Sequence, residues 1–248
     1  MKTKKLFSSI ALVTMLALPA GLYAQAITAK TLAQAKRALN KSYYKNVTVS
    51  GDPNALVLGG TVDLYAEKLS AAKRVEKSIG KLPIENNIQV EVPEISDQKL
   101  QAKLLNDIQY SRVGYGTTAF NAIQVQVQDG VVTLGGSAWG PVDASTAFNL
   151  AANTKGVREV INHITVDPTS PMDDRIRRME YRSIYGFPQL NRYALNPLKP
   201  IRIVVQNGHV TLEGVVDSAS DKTVAGIRAN SVPGVFSVTN NLRVSGQE

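Results

Sequence analysis

Three observations predict an α+β fold made of three tandem small α-β-β-α-β sandwich domains, each a three-stranded mixed sheet with two helices. The first is a hairpin signature near the C-terminus, where Asn207-Gly208 separates two β-branched runs. The second is an internal repeat that recurs twice upstream of that hairpin. The third is a helix-period segment on either side of each hairpin.

Asn-Gly between such runs selects a two-residue type I′ turn, because both central positions need positive φ. The turn fixes the register: Gln206 faces His209, Val205 faces Val210, Val204 faces Thr211, Ile203 faces Leu212 and Arg202 faces Glu213. Side chains alternate along a strand, so Ile203, Val205, Val210 and Leu212 share one apolar face. Arg202 and Glu213 fall on the other face, where an opposite-charge pair is expected.

The repeat aligns without gaps. Shifting Ile201–Val244 back by 78 residues places it on Ile123–Val166, with Asp129-Gly130 in the turn. Leu134 then matches Leu212, Gly136 matches Gly214, Ala147 matches Ala225, Gly156-Val157 matches Gly234-Val235 and Asn162 matches Asn240. A further shift of 76 reaches Val47–Val90, where Leu58, Gly60, Ala71, Gly80, Asn86 and Val90 stay in step. This copy has drifted: its turn is the longer Gly51-Asp52-Pro53-Asn54, and Lys81 replaces Val157 and Val235. Repeats of this kind mark a supersecondary unit used several times.

Helices are expected before each hairpin. Leu32, Ala35 and Leu39 recur at helical spacing from Thr28 to Tyr43; Leu100, Leu104 and Ile108 mark one face behind a cap at Ser96 or Asp97. Asp173-Asp174 lead into Ile176, Met179 and Ile184 after Pro171, and acidic residues suit a helix start. Loops with Tyr115 and Phe120, and with Phe187 and Pro188, join helix to hairpin in the second and third units. The second helices are expected at about 64–79, 142–154 and 218–232, each ended by Gly80, Gly156 or Gly234 as a C′ glycine. Each unit is marginal for a lone core, so docking between units would help.

The boundaries follow: 1–26 a signal peptide, 27–92 a divergent first unit, 95–167 a second and 170–246 a third. The leader reading rests on Lys2, Lys4 and Lys5 ahead of an apolar run from Leu6 to Ala20, then small residues; cleavage falls after Ala24 or Ala26. That run is too short for a transmembrane span. No cysteine follows it, so a lipoprotein is not expected, and the mature chain is expected in the periplasm or outside the cell.

The chemistry of catalysis is poorly represented. The chain has no cysteine and two histidines, which excludes disulfides, thiolate metal sites and a thiol nucleophile. His163 and His209 fall at non-equivalent repeat positions on predicted polar strand faces. Asp173-Asp174 and Asp217 read as helix-start residues rather than an acid pair. Gly59-Gly60 and Gly135-Gly136 end strands, and neither carries the phosphate-loop pattern. No enzyme, cofactor or metal site is expected.

Charge is more informative. Residues 25–90 hold ten basic and five acidic side chains, residues 91–166 five and seven, and residues 167–248 ten and eight. In the first unit Lys68, Lys73, Arg74, Lys77 and Lys81 lie on the second helix; in the third, Arg175, Arg177, Arg178 and Arg182 lie on the first, beside Met172, Tyr181 and Tyr185. Basic residues flanked by aromatics suit anionic headgroups. The plainer reading is a solvated helix face, with Glu67, Glu76 and Glu180 partly neutralising it. Trp139, the single tryptophan, is either an interfacial anchor or packed against a neighbouring unit. Nucleic acid would also attract a basic surface, but no base-stacking motif is visible and none is expected as partner.

The pattern Asn207-Gly208, Val210-Thr211-Leu212-Glu213-Gly214, then Val232-Pro233-Gly234-Val235 to Val244, resembles the BON domain, named for a bacterial osmotically induced periplasmic protein and nodulation proteins. Val132-Thr133-Leu134-Gly135-Gly136 and Gly156-Val157 carry the likeness in the second unit; the first shares only glycines and apolar spacing. The resemblance implies three tandem copies of an exported α/β sandwich that attaches to phospholipid surfaces and has no catalytic motif. The expected role is therefore a periplasmic envelope protein, in envelope maintenance or osmotic stress, on anionic phospholipid. The lipid-binding candidates are Arg175, Arg178, Tyr181, Arg182, Lys73, Arg74 and Lys77. The other expectation is a protein-interaction or chaperone-like scaffold for envelope proteins. The sequence is silent on oligomeric state.

Overall fold

The order of elements in each unit follows from the alternation of helix-period and strand-period segments. The computed structural model describes residues 27–52, 54–112, 115–168 and 170–246, and the expected signal peptide lies outside them. The first unit runs α1 (Ala29–Ala38), β1 (Val47–Gly51), β2 (Leu56–Val62), α2 (Tyr65–Ile79), β3 (Ile84–Asn86) and β4 (Gln89–Val90). The second runs α3 (Asp97–Tyr110), β5 (Ala122–Gln128), β6 (Val131–Ala138), α4 (Pro141–Ala152), β7 (Glu159–Asn162) and β8 (Thr165–Val166). The third runs α5 (Pro171–Tyr185), the single turn α6 (Arg192–Leu195), β9 (Arg202–Gln206), β10 (His209–Glu213), β11 (Val215–Val216), α7 (Ala219–Asn230), β12 (Ser237–Asn240) and β13 (Arg243–Val244).

Each hairpin is antiparallel, and the closing strand returns parallel to the hairpin's second strand, which makes each sheet mixed. The register of β9 and β10 is the one the two-residue turn dictates, from His209↔Gln206 to Glu213↔Arg202. Asp129 and Asn207 have φ of 52° and 53°, and Gly130 and Gly208 have 75° and 78°, as a type I′ turn requires.

The closing strand differs from expectation. It is broken into two short pieces, β3/β4, β7/β8 and β12/β13, rather than continuous. The repeat asparagine supplies the reason. Asn86, Asn162 and Asn240 each accept, on the side-chain oxygen, the amide of the residue two positions on (3.4, 3.1 and 3.3 Å), a local bond that competes with the ladder. In the third unit the central strand is also split at Gly214, so β11 and β13 form a separate two-stranded ladder.

The repeat glycines sit elsewhere than expected. Gly59-Gly60 and Gly135-Gly136 lie inside β2 and β6 instead of ending them. Gly60 and Gly136 have φ of 87° and 81°, and a Cβ there would stand 2.0 Å from the carbonyl oxygens of Asn46 and Ala122. Gly80 does cap α2, but α4 and α7 stop at Ala152 and Asn230, several residues short of Gly156 and Gly234. Those two glycines instead turn the connection to the closing strand, with Leu100 and Ile176 packed against them. The first helix is also shorter than the Thr28–Tyr43 pattern, ending at Ala38 before a 3-10 turn at Ser42–Tyr44.

Helices and sheet enclose one apolar cluster per unit. Leu56, Leu58, Val75 and Ile88 centre the first, Leu104, Val132, Leu134 and Val157 the second, and Ile184, Ile203, Val205 and Leu212 the third. The clusters are not independent. Tyr65 packs against the first and the second, while Ala119 belongs to the third although it comes from the second unit's loop.

Candidate functional site

The first helix of the third unit, α5, is where the structure concentrates charge and inter-unit contact. Ser170 caps it by accepting from the Asp173 amide (3.2 Å), and Pro171 occupies the first turn. Its helical period sorts the charged residues. Asp173, Ile176, Arg177, Glu180 and Ile184 face inward, whereas Arg175, Arg178 and Arg182 face solvent. The three exposed arginines make no ion pair among the described residues. Met172 beside them is 61% exposed.

Tyr181 is divided between surface and joint. It is 39% exposed, yet its ring lies 4.7 Å from that of Tyr185 and 6.1 Å from that of Phe120. Phe120 in turn stands 6.0 Å from Trp139. An aromatic row thus runs from the second unit onto α5, and Trp139 ends it by donating its indole N–H to Asp174 (3.1 Å). Of the two sequence readings of Trp139, packing against a neighbouring unit describes its position, with the ring still partly exposed.

The inward residues of α5 hold the two units together. Arg177, expected on the basic face, is buried instead. Its guanidinium donates to Asp167 (2.9 Å), Asp174 (2.7 Å) and the Val205 carbonyl. Asp167 belongs to the second unit and also accepts from Ser137 and Gln206. Arg202 does not pair with Glu213 as its register suggests. It reaches across to the Thr118 carbonyl of the second unit, and Glu213 accepts from Asn241 (2.8 Å). Burial lowers the Arg202 guanidinium to about 10, with Tyr185 acting the other way.

Asp97 and Asp173 are more than helix starters. The Asp173 carboxylate accepts the amides of Asn207 (2.9 Å) and Gly208 (2.8 Å), and Asp97 accepts those of Asp129 (2.7 Å) and Gly130 (3.0 Å). Each acid clasps the turn of its own unit's hairpin. A second repeated acid opens the later helix. Asp143 takes Arg112 (2.7 Å), Thr117 (3.1 Å) and Asn121 (3.0 Å), while Asp221 takes Gln189 (2.8 Å), Tyr193 (2.9 Å) and Arg192. Burial raises the Asp221 carboxyl, but Gln189, Ser218, Tyr193 and the Arg192 charge outweigh it and hold the group below the usual range. In the first unit Glu67 stands at this position and accepts from Asp63 and Leu64. The repeat alignment was the signal for these three acids.

Lys73, Arg74 and Lys77 lie exposed on α2, with no ion pair among the described residues. They are in the first unit, and no hydrogen bond links them to the α5 group among those residues. Glu180, expected to dilute the basic face, is 0% exposed and dilutes nothing. A cleft of about 170 Å³ opens at the joint, lined by Gly116, Ala119, Tyr181, Tyr185, Leu195 and Pro197 among others. His163 and His209 are exposed as expected, with His209 Nδ1 2.8 Å from Ser237.

Hairpins with a parallel closing strand under two helices, the second and third joined by a side-chain network and the first packed through Tyr65, make a series of small α+β modules. The BON domain model matches residues 96–168 and 189–246, just over half of the chain, and the chain belongs to the BON domain family. BON domains occur in envelope and periplasmic proteins and are generally non-enzymatic. The match leaves out residues 27–92, although these share the order of elements and strand pairing. CdsD, a structural protein of the type III secretion system of Chlamydia trachomatis, is 13% identical with a TM-score of 0.25, over 87% of this chain and 92% of that one. A second structure, of the CdsD C-terminal domain, has the same identity and TM-score over 88% and 98%. Likeness at that level carries no functional argument. No curated protein matches the chain. No helix among the described residues is long and apolar enough to cross a membrane.

Proposed function

We propose that the chain is an exported, non-enzymatic protein of the cell envelope that associates with anionic phospholipid surfaces in envelope maintenance or osmotic stress, and that residues 27–92 are a divergent third BON copy. One observation carries the lipid reading. Arg175, Arg178 and Arg182 stand together on the exposed face of α5 without ion-pair partners among the described residues, beside Met172 and Tyr181. Of the acids on α5, Asp173 and Glu180 are buried, and the part-exposed Asp174 is taken up by Arg177 and Trp139 rather than by the exposed arginines. Lys73, Arg74 and Lys77 on α2 offer a second contact. Each charge near an anionic surface contributes about 1 kcal/mol, falling with salt. Occurrence of the family in envelope proteins supports the location.

Co-sedimentation with phosphatidylglycerol and phosphatidylcholine vesicles tests the reading. Binding is expected to the first only, and to weaken as salt rises. Replacing Arg175, Arg178 and Arg182 by Glu should weaken it about 100-fold or more, since three charges reverse sign. Unchanged binding would move the contact to Lys73, Arg74 and Lys77, and absence of binding at low salt would remove the reading. The scaffold reading is favoured by the apolar cleft at the joint, where Leu195 is 79% exposed. Under it, envelope proteins captured by the full chain are lost with Leu195→Glu, while vesicle binding is absent.

A further inference from the structure

Glu180 occupies a position that the fold reserves for an apolar side chain. The clasp acids Asp97 and Asp173 place α3 and α5 in register 76 residues apart. The same offset sets Leu100 against Gly156 and Ile176 against Gly234 in the two units. It pairs Leu100, Leu104 and Ile108 of α3 with Ile176, Glu180 and Ile184 of α5. Leu104 is a fully buried member of the second unit's core, and Glu180 is just as buried in the third.

The other buried acids are all satisfied. Asp143, Asp167, Asp173 and Asp221 each accept two or more hydrogen bonds. Both carboxylate oxygens of Glu180 have no hydrogen-bond partner among the described residues. No charged group on the elements around it pairs with it among the described residues, and Arg175, Arg178 and Arg182 of its own helix face solvent. On α5, Arg177 serves Asp167, Asp174 and Val205, and Asp173 serves the turn. From β9, Arg202 serves Thr118; from α6, Arg192 serves Asp217 and Asp221. From α7, Arg228 serves the Ser183 carbonyl, and the half-buried Lys222 makes no ion pair among the described residues. From β10, His209 lies at the surface with Ser237 and Glu213 accepts from Asn241.

We propose that the third unit is a proton-linked element: Glu180 sits uncharged in the packed unit, and loss of its proton to solvent loosens α5 from the sheet and from the second unit. An ionised carboxylate without partners is the costliest group a core can hold, and the neutral acid is far cheaper. Burial pushes the carboxyl from its ordinary 4.5 up to about 8. Because the folded value is raised, the packed unit keeps a proton that the unfolded chain has released. The stabilisation is therefore full below about pH 4.5 and is lost as pH rises through about 8. The inference stands apart from lipid binding, since it concerns how firmly α5 is held.

Trp139, the single tryptophan, bonds Asp174 on α5 and reports on that contact directly. In the full chain, its emission should shift between about pH 6 and about pH 9, and the melting midpoint should fall by about 10 °C over the same range. Glu180→Leu, which restores the second unit's residue, should abolish the emission change and melt higher at alkaline pH. Glu180→Gln should abolish the change without that gain, and decides the matter if the leucine variant does not fold. Wild-type emission and melting that are flat with pH, or a transition that persists in either variant, would overturn the proposal.

Discussion

Asp173 shows how far a side chain's role can stand from its sequence neighbours. Read in the sequence, it follows Ser170 and Pro171 as a helix-start acid. In the fold its carboxylate accepts two amides 34 and 35 residues downstream, one of them buried. Asp173→Ala leaves that buried Gly208 N–H unpaired and should cost about 2–3 kcal/mol in urea unfolding, whereas a surface acid such as Asp217 replaced by Ala should cost less than about 0.5 kcal/mol. The same scale explains why Arg177 and Glu180 were misplaced by sequence reasoning. Alternating charges on a helix look like a solvated surface, and only the partners, Asp167 and Val205 for Arg177, reveal which face is covered. The exposed candidates Arg175, Arg178 and Arg182 were legible because they need nothing from the rest of the chain.

At the scale of elements, the sequence was most informative where a local rule acts. Asn207-Gly208 dictated the turn, the register and the apolar face of the hairpin. It was least informative where two segments meet closely. Gly136 reads as a strand end in the sequence, yet it sits within β6, where the close Ala122 carbonyl leaves room only for glycine. Gly136→Ala would put a Cβ 2.0 Å from that oxygen, at a φ of 81°. Its cost should be about 3 kcal/mol or more, combining backbone strain with a displaced β5, while Gly135→Ala, with open space around it, should be much milder. Amide exchange along β5 would distinguish the two. The broken closing strands follow the same logic. The repeated asparagine was visible in the sequence, but its bond to the amide two residues on becomes a strand break only when the competing ladder is in place.

Across the whole molecule, the second and third units are held by polar groups as much as by apolar ones. Asp167 gathers Ser137 from its own unit and Arg177 and Gln206 from the next. Asp167→Ala removes the buried one of Arg177's two counter-charges, leaving the part-exposed Asp174, and should cost about 2–3 kcal/mol. Calorimetry should show one transition for the two units in the wild type and two in the variant. The sequence announces docking between units only through the small size of each core and one reading of Trp139; the polar chemistry of the joint arises from residues some ten to eighty positions apart and leaves no local trace. The same distance explains why Arg202 abandoned its cross-strand partner for Thr118.

Ala119 and Phe120 lend apolar surface to the third unit's core from a loop that belongs to the second. The loan has a direction. A chain made from its N-terminus delivers the lender before the borrower, so each helix and strand of the third unit meets a finished surface as it arrives. A circularly permuted chain that begins at the third unit would reverse that schedule, leaving an apolar vacancy open until the second unit's loop follows.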